Sequence, residues 1–141
     1  MDIDKLTASI KLHEGFRAFP YQDTTGHITI GWGRNLTGKG IADDEAQLML
    51  GNDLQSAIRE AETQPWWNAV KGNDARENAF VEIGYNLGFA ALSNFHVALA
   101  AASNGDWPAC GAALLDSLWH EQVGQRAETL TAMIVTGQFP N

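Results

Sequence analysis

Apolar side chains recur at helical spacing near the start of the chain, at Ile3, Leu6, Ile10 and Leu12 or His13. This spacing predicts an amphipathic helix over residues 3–13, with Asp2 or Asp4 as its N-cap. Gly15 follows directly and is a typical helix stop. We therefore expect the first helix to end close to Glu14.

The next segment has the pattern of a β-hairpin. Its two strands are predicted over residues 16–21 and 27–32, and Asp23-Thr24-Thr25-Gly26 supplies the turn between them. Gly31-Trp32-Gly33 closes the second strand and suits a close approach of backbone. Residues 35–41 contain two glycines and are predicted to form a loop.

Beyond this loop the apolar spacing is helical throughout. The predicted helices cover about residues 43–63, 73–87 and 92–102, a segment that begins at Asp106-Trp107-Pro108, and residues 125–136. Pro65 ends the first of these helices, and Gly137 ends the last.

These elements predict an α+β fold that is mostly α. A small N-terminal lobe, residues 1–42, contains the hairpin or a short antiparallel sheet, and a connecting helix covers residues 43–63. Residues 64–141 form a helical lobe. The length of 141 residues fits a single domain, and a cleft between two lobes is a natural ligand site.

The charge balance narrows the range of possible functions. There are 17 acidic and 9 basic residues, which gives a net charge of −8 and a pI near 4.7. General nucleic-acid binding relies on a basic surface and is disfavoured. No apolar run is long enough to span a membrane. The start of the chain lacks the layout of a secretory signal, and the single cysteine, Cys110, fits folding in a reducing cytoplasm.

The predicted hairpin brings three chemically useful side chains into one short segment. Glu14 closes the first helix, Asp23 begins the turn and Thr29 lies on the returning strand. Glycoside hydrolysis needs two carboxyl groups flanking the scissile bond, one as the acid and one to direct a water molecule. The three residues therefore indicate a glycosidase.

The sequence gives little support for other kinds of catalytic or binding site. The histidines lack the spacing of metal ligands, and neither a phosphate-binding loop nor a nucleophile elbow occurs. We accordingly expect no metal site and no cofactor.

The hairpin sequence resembles that of T4-type phage lysozymes, glycoside hydrolase family 24. The matching motif is Glu14-Gly15-x-Arg17, followed by Tyr21-x-Asp23-x-x-Gly26-x-x-Thr29-Ile30-Gly31-x-Gly33. Further matches are Asp44-Glu45-Ala46, Asn86-x-Gly88, Phe95, Trp107, Ser117-x-Trp119 and Arg126. The resemblance covers nearly the whole chain.

The resemblance implies a role for each residue of the trio. Glu14 matches the general acid, Asp23 the second catalytic carboxylate, and Thr29 the hydroxyl that helps to hold the attacking water. The implied reaction cleaves the β-1,4 bond between N-acetylmuramic acid and N-acetylglucosamine, with inversion. Room for the water requires carboxyl groups roughly 6.5–9.5 Å apart.

Five further positions are candidates for binding or support. Tyr85 and Asn86 lie where the family lines its cleft, although core packing explains them equally well. Arg126 is placed near the acid by the resemblance, and Gly31 belongs to the motif. Arg34 is a departure, because a fixed positive charge replaces the histidine common in the family.

The resulting hypothesis is a monomeric endolysin whose partner is bacterial peptidoglycan. We expect synthesis in the host cytoplasm and release to the wall by a separate pore-forming holin. Two alternatives remain: a non-catalytic wall-binding or phage-structural module that keeps the fold, and a lytic transglycosylase, which forms an anhydro product and needs only one acid/base group.

Overall fold

A computed structural model describes all 141 residues of the chain. The chain divides into two compact units, Met1–Leu50 and Gly51–Asn141. The fold is α+β and mostly α, as the sequence predicts: ten helices accompany one small antiparallel sheet.

The N-terminal unit opens with helix α1, Ile3–Glu14. Asp2 is its N-cap, and its Oδ1 accepts a hydrogen bond from the backbone N–H of Lys5. Gly15 ends the helix at φ +69° and donates its N–H to the carbonyl of Lys11. The predicted cap and stop are both confirmed.

Three strands follow in the order β1-β2-β3. They cover Arg17–Gln22, Ile28–Gly31 and Arg34–Asn35, and both pairings are antiparallel. The predicted strands lie within about one residue of β1 and β2. In the sheet Thr29 pairs with Tyr21 of β1 and with Asn35 of β3.

The prediction of a loop over residues 35–41 was wrong. Asn35 ends β3 and at the same time caps a short helix α2, Leu36–Lys39. Its side-chain oxygen accepts the backbone N–H of Gly38 at 2.8 Å, which replaces a hydrogen bond that the first turn of a helix lacks. The long helix α3 then covers Asp43–Glu62.

The C-terminal unit contains seven further helices, α4 to α10. Their bounds are Trp67–Val70, Asp74–Leu87, Phe89–Leu92, His96–Ser103, Trp107–Leu115, Leu118–Val123 and Gln125–Thr136. The predicted helices over residues 73–87 and 125–136 are confirmed. The helix predicted over residues 92–102 corresponds to α7, which begins only at His96, and Leu92 instead ends the short, unpredicted α6. The short α4 and α9 were not predicted.

The hydrophobic core belongs to the C-terminal unit, because all the buried apolar residues lie between Ala57 and Ile134. Trp66 packs with Phe80, their ring centroids 5.0 Å apart, and is stacked with Phe89. The predicted core residue Trp119 is buried, and Trp107 is partly buried against the core. None of the helices has both the length and the apolar character needed to cross a membrane.

Candidate active site

Glu14 is the last residue of α1, and its carboxyl group lies against Gly33, after the end of β2. A Cβ atom at Gly33 would lie 2.8 Å from Glu14 Oε2. Gly33 also has a φ of +77°, which side-chain-bearing residues rarely adopt. The position of the Glu14 carboxyl therefore depends on a glycine at residue 33.

Asp23 begins the turn between β1 and β2, and its two carboxylate oxygens have different environments. Oδ1 accepts three hydrogen bonds, from the backbone N–H of Thr25 at 2.9 Å, from the Thr25 hydroxyl at 2.7 Å and from the backbone N–H of His27 at 2.9 Å. Oδ2 lies 3.9 Å from His27 Nδ1. One oxygen thus anchors the carboxylate, and the other is left to act on a ligand.

These hydrogen bonds favour the charged carboxylate. The Thr25 hydroxyl and then the His27 backbone N–H hold the pKa of Asp23 below its ordinary value of 3.8, because both donate to the ionised form. Asp23 is consequently a carboxylate throughout the neutral pH range.

Thr29 lies at the centre of the sheet and is nearly buried, with 4% of its surface exposed. Its hydroxyl donates to the carbonyl of His27 at 3.3 Å, and the backbone N–H of Asp23 donates to the same carbonyl at 2.9 Å. The structure therefore links Asp23 and Thr29 through one backbone carbonyl. The Thr29 oxygen keeps its lone pairs as acceptors.

Tyr85 and Asn86, the predicted substrate-binding residues, lie near the end of α5. Tyr85 is 43% exposed and lines an open groove together with Asp53, Ser56, Glu60 and Gly88. Asn86 uses its side-chain oxygen to accept from Trp119 Nε1 at 3.2 Å. Asn86 therefore holds a core tryptophan, and its amide N–H₂ is the part left for a ligand.

The three predicted supporting residues have partners within their own units. Arg126 donates from Nε to Glu82 at 3.0 Å, and its predicted contact with Glu14 stays a prediction. Arg34 forms an ion pair with Glu45. Gly31 pairs with Arg17 across β1 and β2.

No group of three or more histidine, cysteine, aspartate or glutamate side chains is arranged to hold a metal ion.

Comparison with known proteins identifies the family. The model of the family described as phage lysozyme matches residues 11–133, a segment that includes Glu14, the hairpin and most of the helical unit. The chain belongs to the phage lysozyme family.

Two curated relatives are similar over nearly the whole chain. The pre-baseplate central spike protein Gp5 of Enterobacteria phage T4 is 29% identical over 159 residues, which cover 92% of this chain. The chain spans only 27% of the length of that spike protein. The probable T4-type lysozyme 1 of Dictyostelium discoideum is 21% identical over 163 residues, which cover 96% of each chain.

Membership of the phage lysozyme family supports a glycoside hydrolase of the lysozyme type that acts on peptidoglycan. The resemblance predicted from the motif is therefore confirmed at the level of the family.

Three contacts of the site were not predicted from the sequence. They are the approach of Gly33 to Glu14 and the hydrogen bonds of Thr25 and His27 to Asp23. The spacing Asp23-x-Thr25 is a signal for a turn closed by side chain to backbone hydrogen bonds, so the Thr25 contact could have been anticipated. The hydrogen bond of His27 belongs to the same turn, four residues after Asp23, whereas the approach of Gly33 to Glu14 depends on how α1 packs against the sheet.

Proposed function

We propose that this chain is an endolysin-type muramidase, which hydrolyses the β-1,4 bond between N-acetylmuramic acid and N-acetylglucosamine. The observation that carries the proposal is the array around Asp23. One carboxylate oxygen is anchored by three donors, the other is left for a ligand, and the Thr29 hydroxyl shares a carbonyl with the Asp23 backbone. Such an array suits a carboxylate that directs water.

Glu14 is proposed as the general acid. The glycosidic oxygen is a poor leaving group, and a carboxylic acid must protonate it as the bond breaks. The ring that loses this oxygen develops positive charge, which the Asp23 carboxylate stabilises. Glu14 and Asp23 belong to the same compact unit, Met1–Leu50.

Asp23 and Thr29 are proposed to hold the attacking water by its two hydrogens. Water donates one hydrogen to Asp23 Oδ2 and the other to Thr29 Oγ1, whose own proton is directed to the His27 carbonyl. The water lone pair is then free to attack the anomeric carbon. Asp23 accepts the water proton, and attack opposite the leaving oxygen inverts the configuration.

The remaining site residues are proposed to bind or support. Tyr85 offers an exposed ring and hydroxyl to a sugar, and the Asn86 amide can donate to an N-acetyl carbonyl. Arg126 is proposed to support Glu14, while Gly31 and Arg34 maintain the strands around it. In the cell we propose a monomer made in the host cytoplasm that reaches the wall through a separate holin and lyses the host.

The test is mass spectrometry of purified peptidoglycan after digestion. Reducing muramic acid ends that incorporate one ¹⁸O atom from labelled water are the expected products of hydrolysis. Anhydromuramic ends without label would identify a lytic transglycosylase instead. NMR of the product within the first minutes should show the α-anomer at the new reducing end, and a β-anomer would contradict inversion.

A second candidate function is a phage-structural module without turnover. The observation that favours it is the similarity to a protein named as a pre-baseplate central spike protein. A structural module would release no sugar fragments from peptidoglycan at any enzyme concentration. It would therefore give neither of the two kinds of product ends.

A further inference from the structure

Thr25 and His27 form a hydrogen-bonded chain that ends on Asp23. Thr25 Oγ1 lies 2.7 Å from Asp23 Oδ1 and also 2.7 Å from His27 Nδ1. Neither side chain belongs to the motif that indicates the activity. Thr25 is exposed at the tip of the turn, and His27 is about half-exposed, so burial in a core does not explain their contact.

The chemistry of the three groups fixes the direction of both hydrogen bonds. An ionised carboxylate can only accept, so the single proton of the Thr25 hydroxyl goes to Asp23. The hydroxyl oxygen must then accept from His27, and His27 Nδ1 must carry a proton. A neutral His27 therefore has its proton on Nδ1 and not on Nε2.

We propose that Thr25 and His27 are positioning residues for Asp23, which hold the carboxylate by Oδ1 so that Oδ2 is directed to the water. The inference rests on the proposed function of Asp23. A carboxylate rotates easily about its terminal torsion, because that torsion has broad minima. Three donors on one oxygen oppose this rotation.

The His27 contribution works in both of its charge states. The neutral ring with a proton on Nδ1 and the protonated ring both donate to Thr25, so the chain of hydrogen bonds is the same in either form. Thr25 in turn cannot rotate its hydroxyl away from Asp23 while His27 donates to it.

Two arginines on the neighbouring strands have other partners. Arg17 of β1 lies over the ring of Tyr21, 5.2 Å from its centroid, and Arg34 of β3 pairs with Glu45. Lys39 ends α2, the helix that packs on β2. His27 is the charged neighbour that acts on the pKa of Asp23.

The tautomer of His27 tests the hydrogen bonding directly and without any assay of activity. The ¹⁵N and ¹³C shifts of the His27 ring should be measured at about pH 8, where histidines are ordinarily neutral. The expected result is a proton on Nδ1, which changes to Nε2 in Thr25→Val. An Nε2 proton in the unmodified protein would overturn the inference.

Kinetics of matched variants test the positioning role. Thr25→Val, which keeps the shape but removes the hydroxyl, should lower kcat about 10- to 100-fold with little change in KM, as expected for a misplaced catalytic group. Thr25→Ser should restore most of the rate. His27→Phe should lower kcat, whereas His27→Asn, whose amide can donate from nearly the same place, should largely keep it.

The acid limb of the pH profile of kcat distinguishes a loss of Asp23 positioning from a general loss of structure. In Thr25→Val this limb should move to higher pH, because Asp23 loses a donor to its charged form. Circular dichroism should show that each variant is folded. Unchanged kcat and an unchanged acid limb in folded Thr25→Val would overturn the inference.

Asp23→Ala distinguishes failure of the positioning role from failure of the proposed function. If Asp23→Ala is inactive while Thr25→Val is fully active, the positioning role fails and the proposed function stands. If Asp23→Ala retains full activity, the proposed role of Asp23 fails, and the positioning role falls with it.

Discussion

The two oxygens of the Asp23 carboxylate have separate tasks at the scale of single residues. Oδ1 is occupied by donors of the hairpin turn, and Oδ2 is the oxygen that we propose directs the water. The opposite member of the proposed pair, Glu14, owes its position to the absence of a side chain at Gly33. Both carboxyl groups are thus placed by short-range contacts within one unit.

Gly33→Ala should lower peptidoglycan turnover at least about tenfold, because the new Cβ would displace the Glu14 carboxyl. Gly40→Ala is the matched control. Its φ of +61° is also positive, but nothing lies within 4 Å of the new Cβ. Both variants should lose about 1–2 kcal/mol of stability, and only Gly33→Ala should lose turnover. Equal turnover in the two variants would show that residue 33 does not position the Glu14 carboxyl.

The carboxyl ¹³C resonance of Asp23 should titrate with a midpoint below 3.8, and in Thr25→Val this midpoint should rise. A depressed pKa stabilises the fold at pH values above the unfolded pKa, about 3.9, and this contribution is lost as the pH falls through the folded pKa. A midpoint at or above the ordinary value would contradict the three-donor environment.

At the scale of elements, the sequence predicts the longer helices well, because several turns display the apolar period and capping residues mark their ends. The helix over Gln125–Thr136 was predicted at its observed bounds. Helices α4, α6 and α9 contain only four to six residues, too few for a period to show. Asn35 and Gly38 have the composition of a loop, yet their hydrogen bond caps a helix.

The candidate site shows the same division between local and long-range information. Glu14, Asp23 and Thr29 follow from spacing in the sequence, since a hairpin connects residues that are close along the chain. The approach of Gly33 to Glu14 depends on how α1 meets the sheet, and the tautomer of His27 depends on a distance. No residue pattern encodes either one.

Two glycines inside helices provide a matched test of packing. A Cβ at Gly84 in α5 would lie 2.3 Å from the Phe89 ring, whereas nothing lies within 4 Å of one at Gly51 in α3. Gly84→Ala should therefore destabilise the protein by about 1–3 kcal/mol through overpacking. Gly51→Ala should stabilise it by about 0.5–1 kcal/mol through helix propensity. Urea unfolding measures both, and a stabilised Gly84→Ala would show that Phe89 does not pack as described.

At the scale of the whole molecule, the apolar core and the proposed catalytic residues belong to different units. The apolar core lies in Gly51–Asn141, while the proposed catalytic trio lies in Met1–Leu50, where Thr29 is the one buried residue. The net charge of −8 gives no general attraction to an anionic cell wall. We therefore expect binding to the wall to come from specific contacts with the sugar chain.

Digestion of whole walls should consequently respond weakly to moderate salt. Raising the ionic strength from about 0.01 to 0.1 M shortens the Debye length from about 30 to 10 Å and would weaken any long-range attraction. The initial rate and the wall-bound fraction should both be measured over this range. A steep decline in binding with salt would show that a local basic surface guides the enzyme.

The most direct test of the central claim is the release of reducing muramic acid ends from purified peptidoglycan by Glu14→Gln. The amide cannot protonate the leaving oxygen, so the rate should fall by about 10²- to 10⁴-fold while the fold is kept. Glu62→Gln, at an exposed carboxylate that ends α3, should keep the full rate. Near-normal release of ends by folded Glu14→Gln would contradict the assignment of Glu14 as the acid.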